Sequence, residues 1–196
     1  MSDWRHRKGV REASGVTDDG EMSIDTYNLP IGILGHHPED FYGAMGRMVC
    51  VSAVLEDQIT SLRHALANAE QGRFTHQPVS EQIRIARTLT RDLPAPEADL
   101  VGAFLRDAEA AFATRNTLVH SSFPSQPSGK LWGHRPVRSK EVTDGTADCV
   151  ETSVDEMRRF IGELVRLVQH FNQVFASYAQ SRHAVSARHI TPGSRS

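Results

Sequence analysis

Between Met157 and Tyr178 the residues Met157, Phe160, Ile161, Leu164, Leu167, Val168, Phe171, Val174, Phe175 and Tyr178 recur with a helical period. Ser153 and Glu156 form a Ser-x-x-Glu capping box in front of them. The pattern predicts an amphipathic helix of about seven turns. A long helix with one apolar face draws its stability from what packs against it. The chain must therefore supply other apolar helix faces.

Three earlier segments do so. Pro38, Glu39 and Asp40 suit a first helical turn, and a helix is expected from about Pro38 to Glu70. Phe41, Met45, Met48, Ser52, Leu55, Ile59, Leu62 and Leu66 repeat at alternating spacings of four and three, a narrow coiled-coil seam that needs a partner within the chain or across a dimer. A shorter helix is expected from about Ser80 to Leu93, with Ile85, Ala86, Leu89 and Leu93 on one face. Arg84, Arg87 and Arg91 lie on the opposite face, either as a solvated surface or as a track for a phosphate backbone. Pro94 and Pro96 end that helix and begin a third, with Val101, Phe104, Leu105, Ala108, Phe112 and Val119 as its stripe and an end near His120.

From Gly129 to Glu151 the character changes. Leu131 to Arg138 suits an extended segment that Pro136 confines to an edge. Asp144-Gly145 signals a turn, and Thr146 to Glu151 suits a returning strand. The expected fold class is all-α: an antiparallel four-to-five-helix bundle with a β-hairpin or structured loop before the last long helix.

The 196 residues, 39% apolar, suffice for one core. Residues 1–36 read as a flexible N-terminal arm, with Trp4 inside the basic cluster Arg5, Arg7, Lys8 and Arg11. Residues 37–180 read as the helical domain, and 181–196 as a disordered basic tail. A net charge of −2 excludes a strongly basic nucleic-acid coat protein but not a local basic groove. No secretory signal is read in the first residues. Apolar runs fall far short of the roughly 20 residues that cross a bilayer, so a cytoplasmic protein without membrane contact is expected. Cys50 and Cys149 are expected as two reduced thiols. His36 and His37 adjoin without further ligand spacing, so no metal and no cofactor is expected.

The end of the third helix carries the chemistry. Arg115 falls on its apolar stripe, four before Val119 and three after Phe112. A guanidinium there is unfavourable unless paired or bound to an anion. Asn116 and His120 are four apart and share the adjoining face. Phosphodiester cleavage without a metal needs a group that exchanges a proton near neutral pH, which imidazole does, and a fixed cation for the added negative charge on phosphorus. Asn116 could orient the phosphate or the imidazole. Trp132 beside His134, Arg135 and Arg138 suits packing on the bundle or an RNA-stacking platform.

Arg115-Asn116-x-x-x-His120, continued by Ser121-Ser122-Phe123, resembles the signature of the HEPN family. The resemblance covers about residues 38–180. It implies a helical bundle and a homodimer in which two motif helices share one cleft. It also implies metal-independent endoribonuclease activity, in which ribose 2′-hydroxyl attack leaves a 2′,3′-cyclic phosphate. His120 would be the general acid/base, Arg115 the transition-state cation and Asn116 a positioning group. A toxin or phage-defence role, with a neutralising antitoxin-type protein, belongs to the same set of implications. Some toxin members carry a tyrosine two residues after the histidine, where this chain has Ser122. Two rivals remain: a HEPN-like dimer that holds RNA or protein without cutting, with Arg115 paired to an acid such as Glu56 or Asp57, and an unrelated helical interaction protein.

Overall fold

The computed structural model describes residues 24–25, 27–30, 37–67, 77–124, 131–136 and 147–189. The helices are α1 (Glu39–Leu66), α2 (Val79–Leu89, continued by a 3-10 turn over Thr90–Asp92), α3 (Ala95–Val119) and α4 (Val154–His189). Strands β1 (Leu131–Pro136) and β2 (Ala147–Thr152) pair antiparallel between α3 and α4. The protein is mostly helical, with one small sheet. None of its described helices is long and apolar enough to cross a membrane.

The α4 stripe packs as its period requires. Met157, Leu164 and Val174 are fully buried, Phe160, Phe171 and Tyr178 nearly so, and Ile161, Leu167, Val168 and Phe175 flank them. Ser153 precedes the first turn. Its Oγ accepts the Glu156 N–H at 3.2 Å and its hydroxyl donates to the Glu156 carboxylate.

The α1 seam finds its partner within the chain. Met48, Ser52, Leu55, Ile59 and Leu62 are buried, and α1 makes its most extensive contact with α4. Each such large apolar side chain withdrawn from water contributes roughly 1.5–3 kcal/mol. The seam therefore supplies no argument for a dimer.

α1 and α4 run parallel, and α3 runs against α4. Asp40 pairs with Arg158 at 2.6 Å near the starts of α1 and α4. Farther along, the Tyr178 hydroxyl donates to the Ala65 carbonyl at 2.6 Å and Arg182 donates to the same oxygen at 3.4 Å. These donors fall on the last turn of α1, where carbonyls lack partners and the helix dipole favours a cation. Ser181 donates to Glu97 at the start of α3, while Phe104 meets Phe171 midway along both helices. The expectation of a bundle with all neighbours antiparallel is thus corrected for α1 and α4.

In α2 the buried residues are Gln82, Ile83 and Ala86, with Ile85 and Leu89 half-buried. Of the face expected through Ile85, Ala86, Leu89 and Leu93, Ala86 is fully buried, and the inward side is rotated from it towards Gln82 and Ile83. Gln82 turns inward because it is satisfied there: its Oε1 accepts from Thr60 at 2.6 Å and its Nε2 donates to the Gln77 carbonyl at 3.1 Å. A buried amide with both ends bonded escapes the desolvation penalty that makes buried polar groups rare.

The segment expected as a tail from 181 begins in helix. α4 continues through Ser181 to His189. Before α1, the Asp25 carboxylate accepts the N–H groups of Tyr27 and Leu29 at 2.8 and 2.9 Å. Asn28 has a φ of 61°, and Ile24 bridges Pro30. Burial, then the charges of Asp25 and Glu39, raises the Tyr42 hydroxyl above its ordinary pKa. The cluster from Trp4 to Arg11, Arg138 and the Asp144-Gly145 turn lie outside the described residues.

Candidate functional site

α3 positions the motif. Its core residues Val101, Phe104, Leu105 and Ala108 are all but fully buried, and Phe112 is nearly so. One turn on, Arg115 occupies the same stripe and is half-buried. Its Nη1 donates to Oδ1 of Asn116 at 3.0 Å, and its Nε–H is buried without an acceptor. Among the described residues no carboxylate reaches ion-pair distance of Arg115, so the pairing with Glu56 or Asp57 is not formed. A charge held this way is electrostatically unsatisfied, as expected of a group that waits for an anion.

His120 is the first residue past the helix. Its N–H donates to the Asn116 carbonyl at 3.1 Å. Its ring is exposed and, among the described residues, has no hydrogen-bond or ring partner. At 100° per residue, Asn116 and His120 lie about 40° apart around the helix, whereas Arg115 and His120 lie about 140° apart. Arg115 and His120 of one chain therefore diverge.

The hairpin is fastened to this end of α3. Ser122 N–H donates to the His134 carbonyl at 2.9 Å and His134 N–H to the Ser122 carbonyl at 2.8 Å, extending the two-stranded sheet by one bridge. Gly133 is buried against Phe123; a Cβ there would sit 2.7 Å from the Phe123 ring. Phe123 in turn meets Phe41 at 5.5 Å between ring centroids. Its carbonyl accepts from Nε2 of His37 at 2.7 Å. A carbonyl only accepts, so Nε2 of His37 carries the hydrogen and the residue serves as a structural donor.

Strand alternation separates the hairpin candidates. Arg135 shares the face of buried Leu131 and Gly133, and its Nη1 donates to Thr117 Oγ1 on α3 at 3.2 Å. Trp132, half-buried, and His134, exposed, take the other face. Trp132 and Arg135 thus do not form one platform. Cys149 lies across from His134, Sγ to Nδ1 3.7 Å, and both Cys50 and Cys149 are free thiols.

The arginines of α2 are less available than expected. Arg84 makes two bonds to Glu81, at 2.7 and 2.6 Å, and Arg87 pairs with Glu109 of α3 at 2.7 Å. Arg91 is exposed and, among the described residues, unpaired. The acid three residues before Arg84 was visible in the sequence. Glu109 comes from another helix and carried no local signal.

Two adjoining clefts run along the outer side of α3 and α4. One, of about 530 Å³, is lined by residues including Asp107, Thr114, Phe160, Glu163, Arg166 and His170. The other, of about 420 Å³, is lined by residues including Thr117, Thr152, Glu151 and Glu156. Neither is lined by Arg115, Asn116 or His120. Compared with family models, curated proteins and solved structures, the chain matches none of them.

Proposed function

We propose that the protein is a metal-independent endoribonuclease of HEPN type. The observation that carries this reading is the last turn of α3. It holds a half-buried guanidinium and, just beyond, an exposed imidazole, and among the described residues the first has no carboxylate partner and the second no partner at all.

In this reading His120 takes the proton of a ribose 2′-hydroxyl. The 2′-oxygen bonds to phosphorus, the bond from phosphorus to the 5′-oxygen breaks, and a second imidazole returns a proton to that leaving oxygen. The products are a 2′,3′-cyclic phosphate and a 5′-hydroxyl. Arg115, oriented by Asn116, stabilises the extra charge on the phosphoryl oxygens. Arg115 and His120 of one chain point about 140° apart. The proposed site is therefore composite: two copies meet at their α3 ends, and the Arg115 of one faces the His120 of the other. A toxin or phage-defence role under a neutralising protein belongs to this proposal.

A second reading is a HEPN-like dimer that binds RNA or protein without cutting. It is favoured by the Arg115–Asn116 bond, which ties one guanidinium nitrogen to its neighbour, and by the motif's position outside both clefts.

The deciding experiment is cleavage of a mixed RNA pool in excess EDTA by the wild type, His120→Ala and Arg115→Ala. Cutting by the wild type alone, with cyclic-phosphate ends, supports the enzyme. Absence of cutting by folded, dimeric wild type supports the binding module.

A further inference from the structure

We propose that Arg135, carried on β1, and His120 form an oxyanion site that holds an RNA phosphate from within a single chain. The inference rests on the RNA reading above but not on catalysis.

Thr117 is three residues before His120, so the two share one face of α3. Arg115 does not share that face. The guanidinium that does is Arg135, because Thr117 Oγ1 accepts its Nη1–H at 3.2 Å. The same hydroxyl donates its proton to the Ala113 carbonyl at 3.0 Å, which leaves its oxygen free to accept from Arg135. A guanidinium has five N–H donors, and this is the one hydrogen bond Arg135 makes among the described residues. The remaining donors fit the two oxygens of a phosphodiester, which a guanidinium binds through paired bonds.

The fold holds this arrangement rigidly. The reciprocal Ser122–His134 bonds and the Gly133–Phe123 contact fix β1 to the end of α3, and Arg135 is the next residue. Thr117 also lines the cleft that carries Glu151 and Glu156, and Glu156 is engaged with Ser153 and Arg159. Asp148 is the register partner of Arg135 across the hairpin.

The test is binding of a fluorescent 2′-O-methyl RNA oligonucleotide, which cannot be cut by 2′-hydroxyl attack, and of inorganic phosphate. Loss of one charge-assisted phosphate contact in Arg135→Gln should weaken oligonucleotide binding about tenfold or more. Arg135→Lys should recover part of the loss, and Thr117→Val should reproduce part of it. Helix content and melting temperature confirm that each variant folds. Arg135→Gln binding as tightly as the wild type overturns the proposal, as does wild type that binds neither probe. Cleavage separates the two ideas. RNA cut by wild type but not by His120→Ala, with Arg135→Gln neutral, keeps the enzyme and removes this site. Binding that needs Arg135 without any cutting keeps the site and removes the enzyme.

Discussion

Arg115 donates one guanidinium N–H to the Asn116 carboxamide at 3.0 Å, while its Nε–H is buried without an acceptor. An apolar side chain would suit this position on the α3 stripe better than a cation. Replacing incompletely satisfied buried charges with hydrophobic groups is often neutral or stabilising. Arg115→Met should therefore leave stability unchanged or raise it by about 1 kcal/mol in urea denaturation. The same variant should cut RNA at least about a hundredfold more slowly, the loss typical of one donor to a transition-state oxyanion. A large loss of stability would mean that Arg115 is a structural residue.

The division between what the sequence discloses and what it hides follows the range of each interaction. The α4 stripe and the Ser153–Glu156 cap were legible because both are written within a few turns of one helix. The α1 seam was equally legible, but its partner was not, since a periodic face does not say whether it meets α4 or a second copy. The α2 face was misread at Gln82, whose inward position depends on Thr60 in another helix. At the candidate site, the place of Arg115 on the α3 stripe and of His120 at the helix end was readable from helical spacing. The attachment of Arg135 to Thr117 was not, because it depends on how the hairpin folds back through the Ser122–His134 bridge.

Tyr178 and Arg182 close the end of α1 together. Both donate to the Ala65 carbonyl, and Arg182 also donates to the Tyr178 oxygen at 3.0 Å. Tyr178→Phe should destabilise the protein by about 1 kcal/mol, the net worth of a part-buried hydrogen bond. Arg182→Ala alone should have less effect, because its side chain is exposed. The double variant should not be the sum of the two, since each donor can cover the carbonyl that the other leaves. A melting-curve cycle on the four proteins measures this coupling, and strict additivity would show that the two act separately.

Glu81 tests how firmly α2 holds its arginines. The hydrogen bonds from Arg84, aided by that residue's charge, hold the Glu81 carboxyl below the ordinary glutamate pKa. A depressed folded-state pKa adds stability above the unfolded value and loses it as pH falls through the folded one. The Arg84 side chain is 67% exposed, so salt and water screen the pair and its effect on melting is small. The carboxyl titration by NMR is the direct measurement. The Glu81 midpoint should lie below that of an isolated glutamate and should rise towards it in Arg84→Gln, where the charge of Arg63 remains. A midpoint that stays low without Arg84 would assign the shift to another group.

Gly133 links the core to the site. A Cβ at this position would meet the Phe123 ring at 2.7 Å and Ser121 Cβ at 2.8 Å. Phe123 cannot retreat easily, because its ring packs on Phe41 and its carbonyl is held by His37. In Gly133→Ala the strand must move instead, at the overpacking cost of typically about 1–3 kcal/mol. The movement acts on the neighbouring Ser122–His134 bonds and on the reach of Arg135 to Thr117. The contact touches the core only through Phe123 and Phe41, and the protein is mostly helical, so far-ultraviolet circular dichroism should stay close to wild type. Hydrogen exchange at the His134 amide should rise and oligonucleotide binding should fall. Unchanged exchange at His134 together with unchanged binding would show that the hairpin holds its place without the Gly133–Phe123 contact.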